Sequence, residues 1–168
     1  MQLQILFLED KQEAQMAISN SLQCKYNIKF VSELGSFNDF LYNDEGYQSH
    51  DVIIIDASMD LDGYTEEEIK DLIPYFNTTD FVPSGVVAGL PLWGLDYFKH
   101  VVAIRAETQD MLNEGRIILF TGHASKLIHY GLFKQEEYPD TQLINRGEAD
   151  SEKKLITMLE EIQTQLRK

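Results

Sequence analysis

The sequence predicts an α/β domain built on a parallel sheet with helices on both faces, and three observations lead there. Short apolar runs rich in β-branched residues alternate with segments of helical spacing. One of those runs, Val-Ile-Ile-Ile at 52–55, is apolar without interruption, as a strand buried on both faces must be. The chain of 168 residues is 43% hydrophobic and 25% charged, enough apolar material for one core, so a single domain spanning 1–168 is expected.

Taken in order, the strands are read as Leu3 to Leu8, Ile28 to Val31, Val52 to Ile55, Arg116 to Phe120 and Gln142 to Ile144. Helices are expected at Gln12 to Gln23, Phe37 to Asn43, Leu95 to Asn113, Ser125 to Lys134 and Glu152 to Arg167. The last has the clearest pattern: Leu155, Leu159, Ile162 and Leu166 recur at three- and four-residue steps and form one core-facing stripe. Strict alternation of five strands and five helices suits a flavodoxin-like doubly wound sheet of order 2-1-3-4-5. The stretch from Ala57 to Trp93 breaks the alternation, because it is far longer than an ordinary strand-to-helix connection. It is read as an insertion at about 57–92. Within it, Thr65 followed by Glu68 is a capping-box signature, and Ile69, Leu72, Ile73 and Phe76 make an apolar face, so a short helix is expected before Pro74.

Composition also excludes function classes. With 28 acidic and 14 basic residues the formal net charge is −14, which repels nucleic-acid phosphates and anionic lipid. No apolar stretch approaches the length of a membrane span. One cysteine, Cys24, allows no internal disulfide, and its default role is packing near the end of the first helix. With no leader pattern at the start, these features together read as a cytoplasmic protein. His50, His100, His123 and His129 show no paired metal-ligand spacing, although His123 stands close to a strand end; Trp93 and Tyr97 are read as packing of the insertion.

In an open α/β sheet, ligands bind beyond the carboxyl ends of the strands. Strand 1 ends in Glu9-Asp10, strand 3 in Asp56, strand 4 in Thr121-Gly122 and strand 5 in Asn145-Arg146. In the order 2-1-3-4-5 these four strands are neighbours about 5 Å apart, so three carboxylates, a hydroxyl and a cation converge on one edge. Clustered carboxylates repel one another, and a hard divalent ion such as Mg²⁺ relieves the repulsion while keeping waters that a phosphate can replace. A carboxylate in such a place can attack phosphorus and form an acyl phosphate, and Asp56, held by its buried strand, suits the attack. Each residue also has a plainer reading. Asp10 with Glu13 is a helix-capping pair, Asp56 and Thr121-Gly122 are turn formers, and Arg146 is a solvated charge.

Three motifs resemble the receiver domains of bacterial response regulators. Ile5-Leu-Phe-Leu-Glu-Asp10 is similar to their first strand with its acidic pair, Asp51-Val-Ile-Ile-Ile-Asp56 to the phospho-acceptor strand, and Ile118-Leu-Phe-Thr-Gly122 to the fourth strand with its hydroxyl residue. The resemblance implies that Asp10, Asp56 and the carbonyl of Ser58 hold Mg²⁺ directly, that Glu9 acts mostly through water, and that Thr121 bonds the phosphoryl group. It also implies a histidine kinase or phosphotransfer protein as donor and a downstream protein as output partner. Such a domain is at most a self-phosphorylating and autodephosphorylating acceptor, not a turnover enzyme.

The fourth motif departs from the family, which ends strand 5 with lysine and a cis-proline after an aromatic residue. Here the chain reads Leu143-Ile-Asn-Arg-Gly-Glu148, with Arg146 or Asn145 at the lysine position. Guanidinium and ammonium do not place charge alike. The departure supports an alternative, a degenerate receiver acting as a phosphorylation-independent binding module. A third reading, a Mg²⁺-dependent phosphohydrolase, is disfavoured because Asp56-Ala-Ser-Met59 lacks a second aspartate two positions on. The turn Leu90-Pro-Leu-Trp-Gly-Leu-Asp96 resembles the family's lead into its third helix, which places the insertion over the crevice as a lid or docking surface.

Overall fold

The computed structural model describes residues 2–22 and 25–168. Gln23 and Cys24, and with them the expected packing role of Cys24, lie outside the described residues. Five parallel strands, β1 (Gln4–Leu8), β2 (Asn27–Val31), β3 (Val52–Ile55), β4 (Ile117–Thr121) and β5 (Gln142–Asn145), form one sheet in the order 2-1-3-4-5. This is the flavodoxin-like doubly wound arrangement that the alternation predicts. In register, Leu8 faces Val31 and Ile55, Ile55 faces Leu119, and Thr121 faces Asn145. The three central strands are buried on both faces apart from Gln4, which explains their uninterrupted apolar runs.

Side chains of successive residues leave the sheet on opposite faces, so the strands feed two cores. Ile5, Phe7, Ile54, Ile118, Phe120 and Ile144 pack with Ile18 and Leu22 of α1 (Gln12–Leu22) and with Leu155, Leu159 and Ile162 of α9 (Ser151–Leu166). Leu6, Leu8, Ile53, Ile55, Ile117 and Leu119 pack on the other side with Phe37 of α2 (Leu34–Asn38) and with the helices that follow β3. A further short helix, α3 (Gly46–Ser49), precedes β3.

The stretch after Asp56 holds two short helices. The first, α4 (Glu66–Leu72), opens on the expected capping box: the Thr65 hydroxyl accepts from the Glu68 amide and the Glu68 carboxylate from the Thr65 amide. Pro74 ends this helix by starting a 3₁₀ turn over Pro74–Asn77. The second, α5 (Ser84–Ala88), is tied to α6 (Trp93–Tyr97) through buried Asp96, which accepts from the Ser84 hydroxyl at 2.6 Å and from its amide at 3.0 Å. Tyr97 is fully buried and donates to Asn38, and the Trp93 ring lies 5.9 Å from that of Phe76. Trp93 therefore packs within the insertion as expected, whereas Tyr97 packs against α2 instead.

Helical segments are more numerous and shorter than the five expected. The expected helix from Leu95 to Asn113 is interrupted: α6 runs into a π-turn (Phe98–Val102), and α7 (Gln109–Asn113) follows a 3₁₀ turn. The cause is local competition for carbonyls. The buried Thr108 hydroxyl donates to the Val102 carbonyl at 2.7 Å, and the Gln109 amide group donates to that of Ala103 at 2.8 Å. The expected helix from Ser125 to Lys134 is α8 (Ala124–His129), five residues shorter at its end. Gly131, at φ +64°, closes it in a Schellman motif, its amide bonding Ile128 and that of Leu132 bonding Leu127. The expected helix at Phe37 to Asn43 begins earlier, at Leu34, and widens to a π-turn over Asp39–Asn43.

Candidate functional site

Glu9, Asp56 and Arg146 are the first residues beyond their strands, and hydrogen bonds that continue the ladder fix their backbones. The amide of Glu9 donates to Val31 of β2, that of Asp56 to Leu8 of β1, and that of Arg146 to Thr121 of β4. Each anchor is a 2.9–3.0 Å bond, so three residues far apart in sequence are placed by the sheet rather than by loops.

Glu9, Asp10 and Asp56 each offer a carboxylate oxygen, and these oxygens lie within 4.8 Å of one another. Glu9 and Asp56 are buried at 0% and 1% exposure, whereas Asp10 is exposed and forms the open side of the cluster. The Glu9 carboxyl is pushed up to about 7, first by burial and then by the nearby charge of Asp56; the Lys11 amide and the Arg146 guanidinium oppose the shift. That amide donates to Glu9 Oε1 at 2.9 Å. Asp56 Oδ1 accepts from the Ser58 amide at 2.9 Å.

Arg146 reaches into the cluster. Its Nη2 donates to Glu9 Oε2 at 2.5 Å and to Asp56 Oδ2 at 2.9 Å, while the side chain stays 23% exposed. It is thus neither a solvated surface charge nor displaced by Asn145, whose side chain instead accepts from the Gly147 amide. The hydroxyls of Ser58 and Thr121 bond each other at 2.9 Å, and the His123 amide donates to Thr121 Oγ1 at 3.3 Å. The half-buried His123 ring has its pKa lowered, first by burial and then by Lys126 and Lys11.

The donor set is chemically suited to a hard divalent ion: three carboxylates on one edge, one of them open to solvent. The cluster thus combines three carboxylates with a hydroxyl pair and a cation.

One contributor was not singled out from the sequence. Gly94 lies against the Asp56 peptide: a Cβ there would fall 1.9 Å from the Asp56 carbonyl oxygen and 3.0 Å from Met59 Cγ. Around it, the Trp93 amide donates to Met59 and the Leu95 amide to Ala57, each at 3.2 Å. The available signal was a glycine inside a helix start, which costs helix stability unless backbone must approach closely.

No protein-family model matches the chain, and no curated protein matches it. Among solved structures, the BeF3-activated DrrB receiver domain is similar over 98% of this chain and 99% of its own, at 16% identity and a TM-score of 0.47.

Proposed function

We propose that the chain is a receiver-like signalling domain in which Asp56 accepts a phosphoryl group with Mg²⁺ held by Asp10, Asp56 and the carbonyl of Ser58, and with Glu9 acting through water. The observation that carries this reading is the convergence of Glu9, Asp10 and Asp56 on one sheet edge beside Thr121 and Arg146. The bound ion would supply positive charge against the carboxylates and the transferring phosphoryl group. An Asp56 carboxylate oxygen forms the new bond to phosphorus as the phosphorus–nitrogen bond of a donor phosphohistidine breaks, and the electron pair leaves with the imidazole. Thr121, once parted from Ser58, offers its hydroxyl to a phosphoryl oxygen. The donor is a histidine kinase or phosphotransfer protein. The output is a contact with a downstream protein, through the surface around α8 and β5, biased by the added charge.

A second reading has its own support. Arg146 already bridges Glu9 and Asp56, so the carboxylate pair is neutralised in part without any metal, as in a phosphorylation-independent binding module. Titration with Mg²⁺ and beryllofluoride, followed by backbone amide shifts, separates the two. The phospho-acceptor predicts saturable shifts at Ser58 and Thr121 that Asp56→Asn abolishes. A flat response at millimolar Mg²⁺ rejects it in favour of the binding module.

A further inference from the structure

We propose that Arg146 is a tethered cation that fills the Glu9–Asp56 carboxylate pair in the resting protein, so that a divalent ion enters only as the guanidinium withdraws. The inference rests on the phospho-acceptor reading and adds to it a regulatory step on the same site.

Its basis is the position of one nitrogen. Nη2 of Arg146 lies 2.5 Å from Glu9 Oε2, 2.9 Å from Asp56 Oδ2 and 3.5 Å from the Phe120 carbonyl oxygen. A hard divalent ion held by Asp10 and Asp56, with Glu9 reached through one of its waters, would draw on the same two carboxylates that the guanidinium occupies. The guanidinium and the ion would compete for these carboxylate charges and repel each other as like charges.

The residue is built to move at its side chain alone. Its backbone is held at both ends of the peptide unit, by the amide bond to Thr121 and by the Ser151 hydroxyl, which donates to the Arg146 carbonyl at 3.2 Å. The guanidinium, by contrast, is under-engaged. Nη2 makes the carboxylate bonds, while buried Nε finds no hydrogen-bond partner among the described residues. A planar fork of five N–H donors ordinarily grips a carboxylate bidentately. Here the grip is one-handed, and the orphaned Nε favours a withdrawn state in which water reaches it. The partly exposed side chain has solvent to withdraw into.

Magnesium affinity of the full chain, measured by calorimetry and by the amide shifts of Lys11 and Ser58, tests this with magnesium chloride alone as the probe. Those two amides donate to Glu9 and Asp56, so they report directly on the carboxylates. Arg146→Met should bind Mg²⁺ roughly tenfold or more tightly than the unaltered protein, with Arg146→Lys between them. Titrating the unaltered protein should move the Arg146 Nε–H resonance together with those amides. Equal or weaker affinity in a folded Arg146→Met protein overturns the inference; if the unaltered protein still responds to Mg²⁺ and beryllofluoride, the phospho-acceptor reading survives it. Binding by Arg146→Met with no response from the unaltered protein would mean that the guanidinium does not withdraw, and overturns the inference together with the phospho-acceptor reading. Silence from every variant rejects both. If Arg146→Met does not fold, the comparison with Arg146→Lys decides by the same criterion.

Discussion

Gly94→Ala sets two physical effects against each other at the point where α6 meets the Asp56 loop. Gly94 sits within α6, and no positive φ distinguishes it, so helix propensity alone favours alanine by about 1 kcal/mol. Sterics oppose it. The new Cβ would lie 1.9 Å from the Asp56 carbonyl oxygen, where a carbon–oxygen contact needs about 3.3 Å, so α6 and the loop must part by roughly 1.4 Å. That separation breaks the Trp93–Met59 and Leu95–Ala57 backbone bonds, already at 3.2 Å, at about 0.5–1.5 kcal/mol each. Overpacking adds about 1–3 kcal/mol, and the net after the propensity gain is a loss near 3 kcal/mol. For a chain of this size the melting temperature should fall by roughly 6–12 °C, read by calorimetry or by urea unfolding. Because the displaced atom belongs to Asp56 itself, the beryllofluoride response should weaken in parallel. A variant as stable as the original, or more so, would refute the close approach and leave propensity as the governing effect.

Three further outcomes are expected. Glu9 binds its proton more tightly folded than unfolded, so its contribution to stability is complete below about pH 4.5 and is lost as pH rises through about 7. The difference in unfolding free energy between the unaltered protein and Glu9→Gln, read from urea unfolding, should therefore shift against the former across that window, by up to about 3 kcal/mol; a difference independent of pH rejects the raised pKa. Removing a donor from buried Asp96 with Ser84→Ala should cost about 1–3 kcal/mol and raise the already elevated carboxyl pKa of Asp96 further, which NMR titration of that side chain would detect. Thr65→Ala, which removes the cap of α4, should cost about 0.5–2 kcal/mol and speed amide exchange at Glu68; unchanged exchange would mean that packing of Leu72 and Ile73, not the cap, fixes that helix.

Much of the site was legible before any coordinates. Parallel strands align their carboxyl ends, so acidic and hydroxyl residues at the ends of the first, third and fourth apolar runs must meet once the strand order is 2-1-3-4-5. The helix breaks were less legible. At Thr108 a side chain competes with backbone for a carbonyl, and the outcome depends on whether that hydroxyl is buried. The end of α8 was readable in principle, since Gly131 is an ordinary helix-terminating residue, yet the apolar spacing carried on past it. Gly94 was the harder case. Its partner, the Asp56 peptide, is 38 positions away, and nothing local to a glycine identifies the backbone that approaches it.

By itself the sequence determined the two-faced parallel sheet and which residue types stand at its edge, because side-chain alternation and chain polarity follow from covalent geometry and burial. Tertiary structure alone decided that Glu9 is buried and Asp10 exposed, although the two are consecutive acids. It also decided that a long guanidinium stem from β5 crosses to both Glu9 and Asp56. The reason is that a flexible side chain has many rotamers of similar energy, and only the charges brought near by other strands select one of them.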